Sequence, residues 1–219
     1  MDAAVDTSIR AIIFDLGSVL ERDNRLAELA RFEARWGLTP GQLQDIPMEE
    51  DLWNDWATGR TDEATFWRRA LARRGIDMAD PGPLSEAVAH AVELDAAAFA
   101  IAQELRPHYK LALLTNNTHE WLRISLARYP LADLFPVIVN SAGVGMRKPD
   151  PRIYQWTCEL LGVTPAECLF IDDRERNTKA AEALGMRTIV FRSAAQLRAA
   201  LDAMLPKGNL AKRGDCDKA

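Results

Sequence analysis

Five short runs of apolar and β-branched residues punctuate the chain, at 9–14, 110–115, 137–140, 168–171 and 187–191. Such runs, with little polar alternation, suit strands covered on both faces. Between most of them the apolar positions recur at helical spacing. Strands alternating with helices predict an α/β domain on a parallel sheet. Helix ends are marked in the second half. Asp150-Pro151 sets a cap before a proline at the first helical position, and Gly162 follows the last apolar turn. Thr164 with Glu167 and Ser193 with Gln196 have the form of capping boxes, and the helix of about 174–184 stops at Gly185.

The segment 21–95 follows a different pattern. It shows no strand-like run and reads as helices at roughly 24–36, 40–57, 62–74 and 83–104, the last leading back toward the sheet. Thr39 to Gln42 has capping-box form, and Thr61 is placed to cap the third helix. Trp53, Trp56, Phe66 and Trp67 supply bulk for a small local core, and Trp121 reads as core rather than pocket. The predicted organisation is a core of 1–20 and 96–205, a helical insertion of 21–95, and a disordered tail of 206–219 rich in Lys, Gly and Asp.

Composition narrows the function classes. The 219 residues are 48% hydrophobic, enough for a real core, and the net charge of −5 argues against a nucleic-acid partner. No apolar run approaches a membrane span, and the first residues lack a signal-peptide pattern, so a cytoplasmic protein without membrane association is expected. The three cysteines, Cys158, Cys168 and Cys216, have no disulfide or zinc spacing and read as two core thiols and one in the tail. The sequence leaves monomer and homodimer both open.

In a parallel sheet, polar residues at the carboxyl ends of strands converge on one crevice. Here those ends carry Asp15, Gly17 and Ser18 after the first strand, Thr115 and Asn116 after the second, Lys148 before the helix at Asp150, and Asp172-Asp173 after the fourth. Clustered carboxylates make a hard-oxygen site for magnesium. A carboxylate can attack phosphorus, a hydroxyl and backbone N–H groups can hold phosphoryl oxygens, and a lysine neutralises charge on both partners.

The residues that carry this pattern resemble the haloacid dehalogenase-like hydrolases. Phe14-Asp15-Leu16-Gly17-Ser18-Val19-Leu20 is similar to that family's first motif, Leu113 to Asn117 to the second, Met146 to Tyr154 to the third, and Phe170 to Ala181 to the fourth. The resemblance covers nearly all of 9–192 and implies a Rossmann-like parallel sheet with an inserted α-helical cap. It implies a magnesium-dependent phosphatase acting on a small phosphorylated metabolite, such as a sugar phosphate, through an aspartyl-phosphate. Asp15 and Lys148 would be catalytic, and Thr115, Asn116 and Lys148 would hold phosphate. Asp15, the backbone of Gly17, Asp172 and Asp173 would make the metal site. Asp173 would bind the ion directly with Asp172 beside it, and Asn177 fills the place of a further acidic residue.

The chain departs from the family at Gly17, where most of its phosphatases carry an aspartate as general acid and base. Loss of such a group typically costs about 10²–10⁴-fold in rate. Glu21, Asp23 and His119 are the candidate substitutes, and a good leaving group would lessen the need for one. The Asp-Leu-Gly form resembles a subgroup that includes bacterial α-glucose-1-phosphate phosphatases and the phosphatase domain of soluble epoxide hydrolases. Two other readings stand beside it: a 2-haloacid dehalogenase-type hydrolase, and a weakly active or non-catalytic binding protein on the same fold. Arg22, Asn24 and Arg25, just after the first motif, could touch a leaving group.

Overall fold

The computed structural model describes residues 9–44, 46 and 50–206. Its elements, in chain order, are β1 (Ala11–Phe14), β2 (Glu21–Asp23), α1 (Arg25–Trp36), α2 (Glu50–Ala57), α3 (Glu63–Ala72), α4 (Gly82–His90), β3 (Val92–Leu94), α5 (Ala96–Leu105), β4 (Lys110–Thr115), α6 (His119–Arg128), α7 (Leu131–Leu134), β5 (Val137–Asn140), α8 (Ser141–Val144), α9 (Pro151–Leu161), β6 (Cys168–Asp172), α10 (Glu175–Glu182), β7 (Arg187–Val190) and α11 (Ala194–Met204).

The five predicted strands form one parallel sheet in the order β5-β4-β1-β6-β7. β1 lies in the middle because its four residues are apolar and fully buried. Its pleat sends Ile12 and Phe14 into an apolar cluster with α5 and α11, and Ala11 and Ile13 into another with α9. The chain runs outward from β1 through β4 to β5, then crosses to β6 and β7 on the other side. That reversal opens a crevice at the carboxyl end of β1.

The end signals of the second half act as predicted. The Asp150 side chain accepts from the Arg152 N–H, and Gly162 closes α9 at φ 62°. Both halves of the Thr164–Glu167 capping box are formed, and Ser193 accepts from the Gln196 N–H.

The segment 21–95 departs from its prediction in four places. It contains strands: β2 and β3 pair antiparallel, Glu21 opposite Leu94 and Asp23 opposite Val92, where the chain leaves the core and returns. Each is three residues long, too short to show an alternation in sequence. For the same reason the helix predicted over 83–104 is two helices, with Asp95 capping the second through the Ala97 and Ala98 N–H groups. Of the helix predicted over 40–57, Glu50–Ala57 is helical, whereas 40–44 form turns around Gly41 at φ 90°. Asp62, not Thr61, caps α3, accepting from the Thr65 N–H; a carboxylate one residue closer to the first turn has the right reach. The predicted disordered tail, apart from Pro206, lies outside the described residues.

The helices of this segment share their own apolar cluster, where Trp56, Phe66 and Trp67 are buried as predicted. Trp121 of α6 joins it, its ring centroid 4.9 Å from that of Trp56. The Trp56 indole donates to Glu120 at 3.1 Å, and the Ser141 hydroxyl donates to the Ala57 carbonyl. These contacts tie the segment to the ends of the core strands. Among the described residues, no helix is long and apolar enough to cross a membrane. Cys158 and Cys168 are buried free thiols with sulfurs 3.5 Å apart, and Cys216 lies outside the described residues.

Candidate active site

Asp15 follows β1 directly, and its N–H donates to the Ile171 carbonyl of β6 at 2.9 Å, which extends the strand pairing to the site. The next turn is tight. The N–H groups of Leu20 and Glu21 both reach the Leu16 carbonyl at 2.9 Å, and Ser18 sits at φ 61°, a left-handed conformation that side chains rarely adopt. The turn places Gly17 and Ser18 on the wall of a cavity of about 760 Å³, together with Asp15, Thr115, Lys148 and Asp173.

Lys148 is 1% exposed. Its ammonium lies 2.8 Å from Asp15 Oδ1 and 2.7 Å from Asp172 Oδ2. Its loop is pinned by Asn116, whose side-chain oxygen accepts from the Lys148 N–H at 2.8 Å and whose NH₂ donates to the Lys148 carbonyl at 2.9 Å. The Asn116 amide therefore grips the lysine's backbone, a use different from the phosphate contact expected of it. Asp172 is fully buried and accepts from Lys148, from the Arg174 N–H at 2.8 Å and from Asn177 Nδ2 at 3.0 Å on each oxygen. Asp173 stands half-buried on the cavity wall.

Asp15, Asp172 and Asp173 each bring a carboxylate oxygen within 4.8 Å of the others. Crowding and burial leave their mark on protonation. Burial pushes the Asp15 carboxyl up to about 7, against the pull of Lys148 and with a further push from Asp172. Asp173 is raised by burial and then by Asp172. Carboxylates held together against their own repulsion are a donor set that a hard cation suits. The side-chain oxygen of Asn177, buried without a hydrogen-bond partner among the described residues, adds a neutral oxygen donor on the cavity wall. The residues present fit a divalent ion.

The three candidate acids separate clearly. His119 has its ring beside Gly143 and does not line the cavity. Asp23 lines it, but although burial pushes its carboxyl up, Arg25 at 2.6 Å more than offsets this and holds it below the ordinary range. Glu21 lines the cavity, is 4% exposed, and has Oε1 without a hydrogen-bond partner. Burial raises its carboxyl despite the Ser125 hydrogen bond and the nearby Arg25 and Arg128. Of the other residues named after the first motif, Arg25 reaches the wall and stacks over the Trp121 ring at 5.0 Å; Arg22 and Asn24 do not line the cavity. Trp121 is 5% exposed, so it is core as predicted, and it also borders the cavity.

Sequence reasoning passed over Arg147, Arg174 and Arg176, which line the same cavity. Their signal was adjacency, since each lies within three residues of Lys148 or Asp173. Surface arginines near a site are common enough that adjacency alone carries little.

Comparison with known proteins agrees with this geometry. The family description "haloacid dehalogenase-like hydrolase" matches residues 9–185. A phosphatase of Mycobacterium tuberculosis (strain CDC 1551 / Oshkosh), MT3486, is 31% identical, over 87% of this chain and 91% of its own. The bifunctional epoxide hydrolase 2 of Sus scrofa is 28% identical over 84% of this chain, which spans 37% of that longer protein. The Bacteroides thetaiotaomicron enzyme bt-2542, solved with magnesium and inorganic phosphate, shares the fold at a TM-score of 0.71, with 22% identity and coverage of 84% of this chain and 95% of that one. The chain belongs to the haloacid dehalogenase-like hydrolases.

Proposed function

We propose that this hydrolase is a phosphatase that removes phosphate from a small phosphorylated metabolite by way of an aspartyl-phosphate on Asp15. The observation that carries the reading is the Asp15–Lys148–Asp172 chain of contacts at 2.8 and 2.7 Å, whose Asp15 and Lys148 line a cavity together with Thr115. Lys148 keeps an Asp15 oxygen oriented and lends positive charge where the phosphoryl oxygens come to lie. Asp15 attacks phosphorus, the bond to the leaving oxygen breaks, and the Thr115 hydroxyl holds a phosphoryl oxygen. Water then attacks phosphorus and releases Asp15. Asn116 acts by fixing the backbone of Lys148.

Asp15, Asp173 and the Gly17 carbonyl would hold magnesium, with Asp172 beside them. A bound divalent ion supplies charge neutralisation between the carboxylates and the phosphate dianion. With glycine at 17, Glu21 is the group we assign to proton transfer, because it faces the cavity with a carboxyl that burial holds toward its neutral form. Residues 21–95 would serve as a cap over a core of 1–20 and 96–205. Dehalogenation is the weaker reading, since the clustered Asp15, Asp172 and Asp173 suit chemistry around a cation.

The test is phosphate release from phosphomonoesters, sugar 1-phosphates and acyl phosphates, with magnesium and with EDTA. Magnesium-dependent release is the expected result. No release from any of them would overturn the reading.

A further inference from the structure

The cavity wall mixes acidic side chains, among them Asp15, Glu21, Asp23 and Asp173, with a group of arginines that bear on one another. Arg147, Arg174 and Arg176 stand there beside Lys148. Lys148 is fully engaged by Asp15 and Asp172, and on the reading above it serves the phosphate that is to be cleaved. The arginines are surplus to that task.

Arg147 is the most informative of them. Its side chain is 13% exposed, and its one described acidic contact is Glu50 at 3.6 Å, whose own side chain is 78% exposed. Its Nη1 is buried and has no hydrogen-bond partner among the described residues. Leaving a charged donor buried without an acceptor is costly, and proteins seldom tolerate it without a use. The cost is compounded by like charge, for Arg176, Arg174 and Arg60 all bear on Arg147, with Glu50 opposing them. The position is also rigid, because the next residue is clamped by Asn116 on both backbone atoms. A fixed guanidinium on the cavity wall with cationic neighbours is a preformed site for a planar or tetrahedral oxyanion.

We propose that Arg147, supported by Arg174 and Arg176, forms a second anion subsite, so that the substrate is a small phosphomonoester bearing another anionic group, a carboxylate or a second phosphate. This rests on the phosphatase reading and narrows its substrate class. The cavity of about 760 Å³ has the size of a small-molecule site.

The experiment compares kcat/KM within matched pairs at low salt: glycerol 3-phosphate against 3-phosphoglycerate, and a hexose 6-phosphate against the hexose 1,6-bisphosphate. The first pair tests a carboxylate as the second group and the other a phosphate. The member bearing the second anionic group should be preferred in at least one pair by about tenfold to a hundredfold, mainly through KM, and the preference should shrink as salt is added. R147M should collapse that ratio and R147K should keep part of it, while R176M, at an exposed position, should lower it without loss of fold. Equal values within both pairs, or a ratio that R147M leaves unchanged, overturns the subsite while the phosphatase reading stands. Calorimetry separates the two claims further. Tighter binding of 3-phosphoglycerate than of glycerol 3-phosphate, abolished by R147M, supports the subsite even if no compound is turned over, in which case the phosphatase reading falls alone.

Discussion

At the scale of single residues, the proposed phosphoryl-transfer site has one gap. Gly17 has nothing within 4 Å of where a Cβ would stand, and its backbone is not in the left-handed region, so a side chain there meets neither clash nor strain. Gly17→Asp is therefore expected to fold normally and to raise turnover of alkyl phosphates, whose leaving groups need a proton, by at least tenfold toward the about 10²–10⁴ such a group supplies. In that background Glu21→Gln should cost little, whereas in the native chain it should cost most of the activity. Steady-state rates on all four proteins check this, and an unchanged rate in the aspartate variant refutes it. Lys148→Met strips the ammonium from between two buried carboxylates. Breaking such a pair costs about 3–5 kcal/mol, and here the low end is expected because Asp15 already titrates at about 7 and can take up a proton. Urea denaturation should show the deficit largest above pH 7 and smaller as pH falls.

At the scale of elements, the join between the helical segment and the core is made at a few close contacts. Gly59, just beyond α2, has φ 70°, and a Cβ there would lie 2.6 Å from the Ala142 carbonyl oxygen of α8. Any side chain would have to push α2 off the core or strain the backbone. Gly59→Ala should destabilise the protein by about 1–3 kcal/mol, measured by thermal or urea unfolding. It should also raise KM more than it lowers kcat, since Trp53 of α2 borders the cavity while Asp15 directly follows β1 and Lys148 sits in the loop between α8 and α9. A variant as stable as the native protein would show that the contact is not needed.

At the scale of the whole molecule, folding and protonation are linked through the acidic cluster. The Asp15 carboxyl rises from 3.8 to about 7 on folding, so between those values the folded state binds a proton that the unfolded chain has lost. The contribution of Asp15 to stability therefore falls as pH rises from about 4 to about 7. Measured in EDTA, the stability of the native protein relative to Asp15→Asn should decline across that window, because asparagine does not titrate. Magnesium should raise the melting temperature most at the upper end, where the carboxylates are ionised. A ligand at a hundred times its dissociation constant contributes about 2.7 kcal/mol. No shift with magnesium at any pH would exclude the proposed ion.

The sequence by itself determined the sheet and the order of the chemistry along it. A strand buried on both faces needs an unbroken apolar run, so all five strands of the parallel sheet were legible, and strand ends in such a sheet have only one crevice to face. Capping residues act over three or four positions, and Asp150, Gly162, Thr164 and Ser193 were readable for that reason. Only the tertiary structure decided what depends on distant partners. β2 and β3 exist because each completes the other, a pairing of residues about 70 apart that leaves no local pattern. Asn116 faces the backbone of Lys148, and Asp23 is tied up in an ion pair with Arg25 while Glu21 keeps one carboxyl oxygen without a hydrogen-bond partner among the described residues, because side-chain direction and neighbours are set by packing. The undersatisfied guanidinium of Arg147 was likewise invisible in sequence: burial and missing partners are properties of the folded surroundings, and nothing in one residue's identity records them.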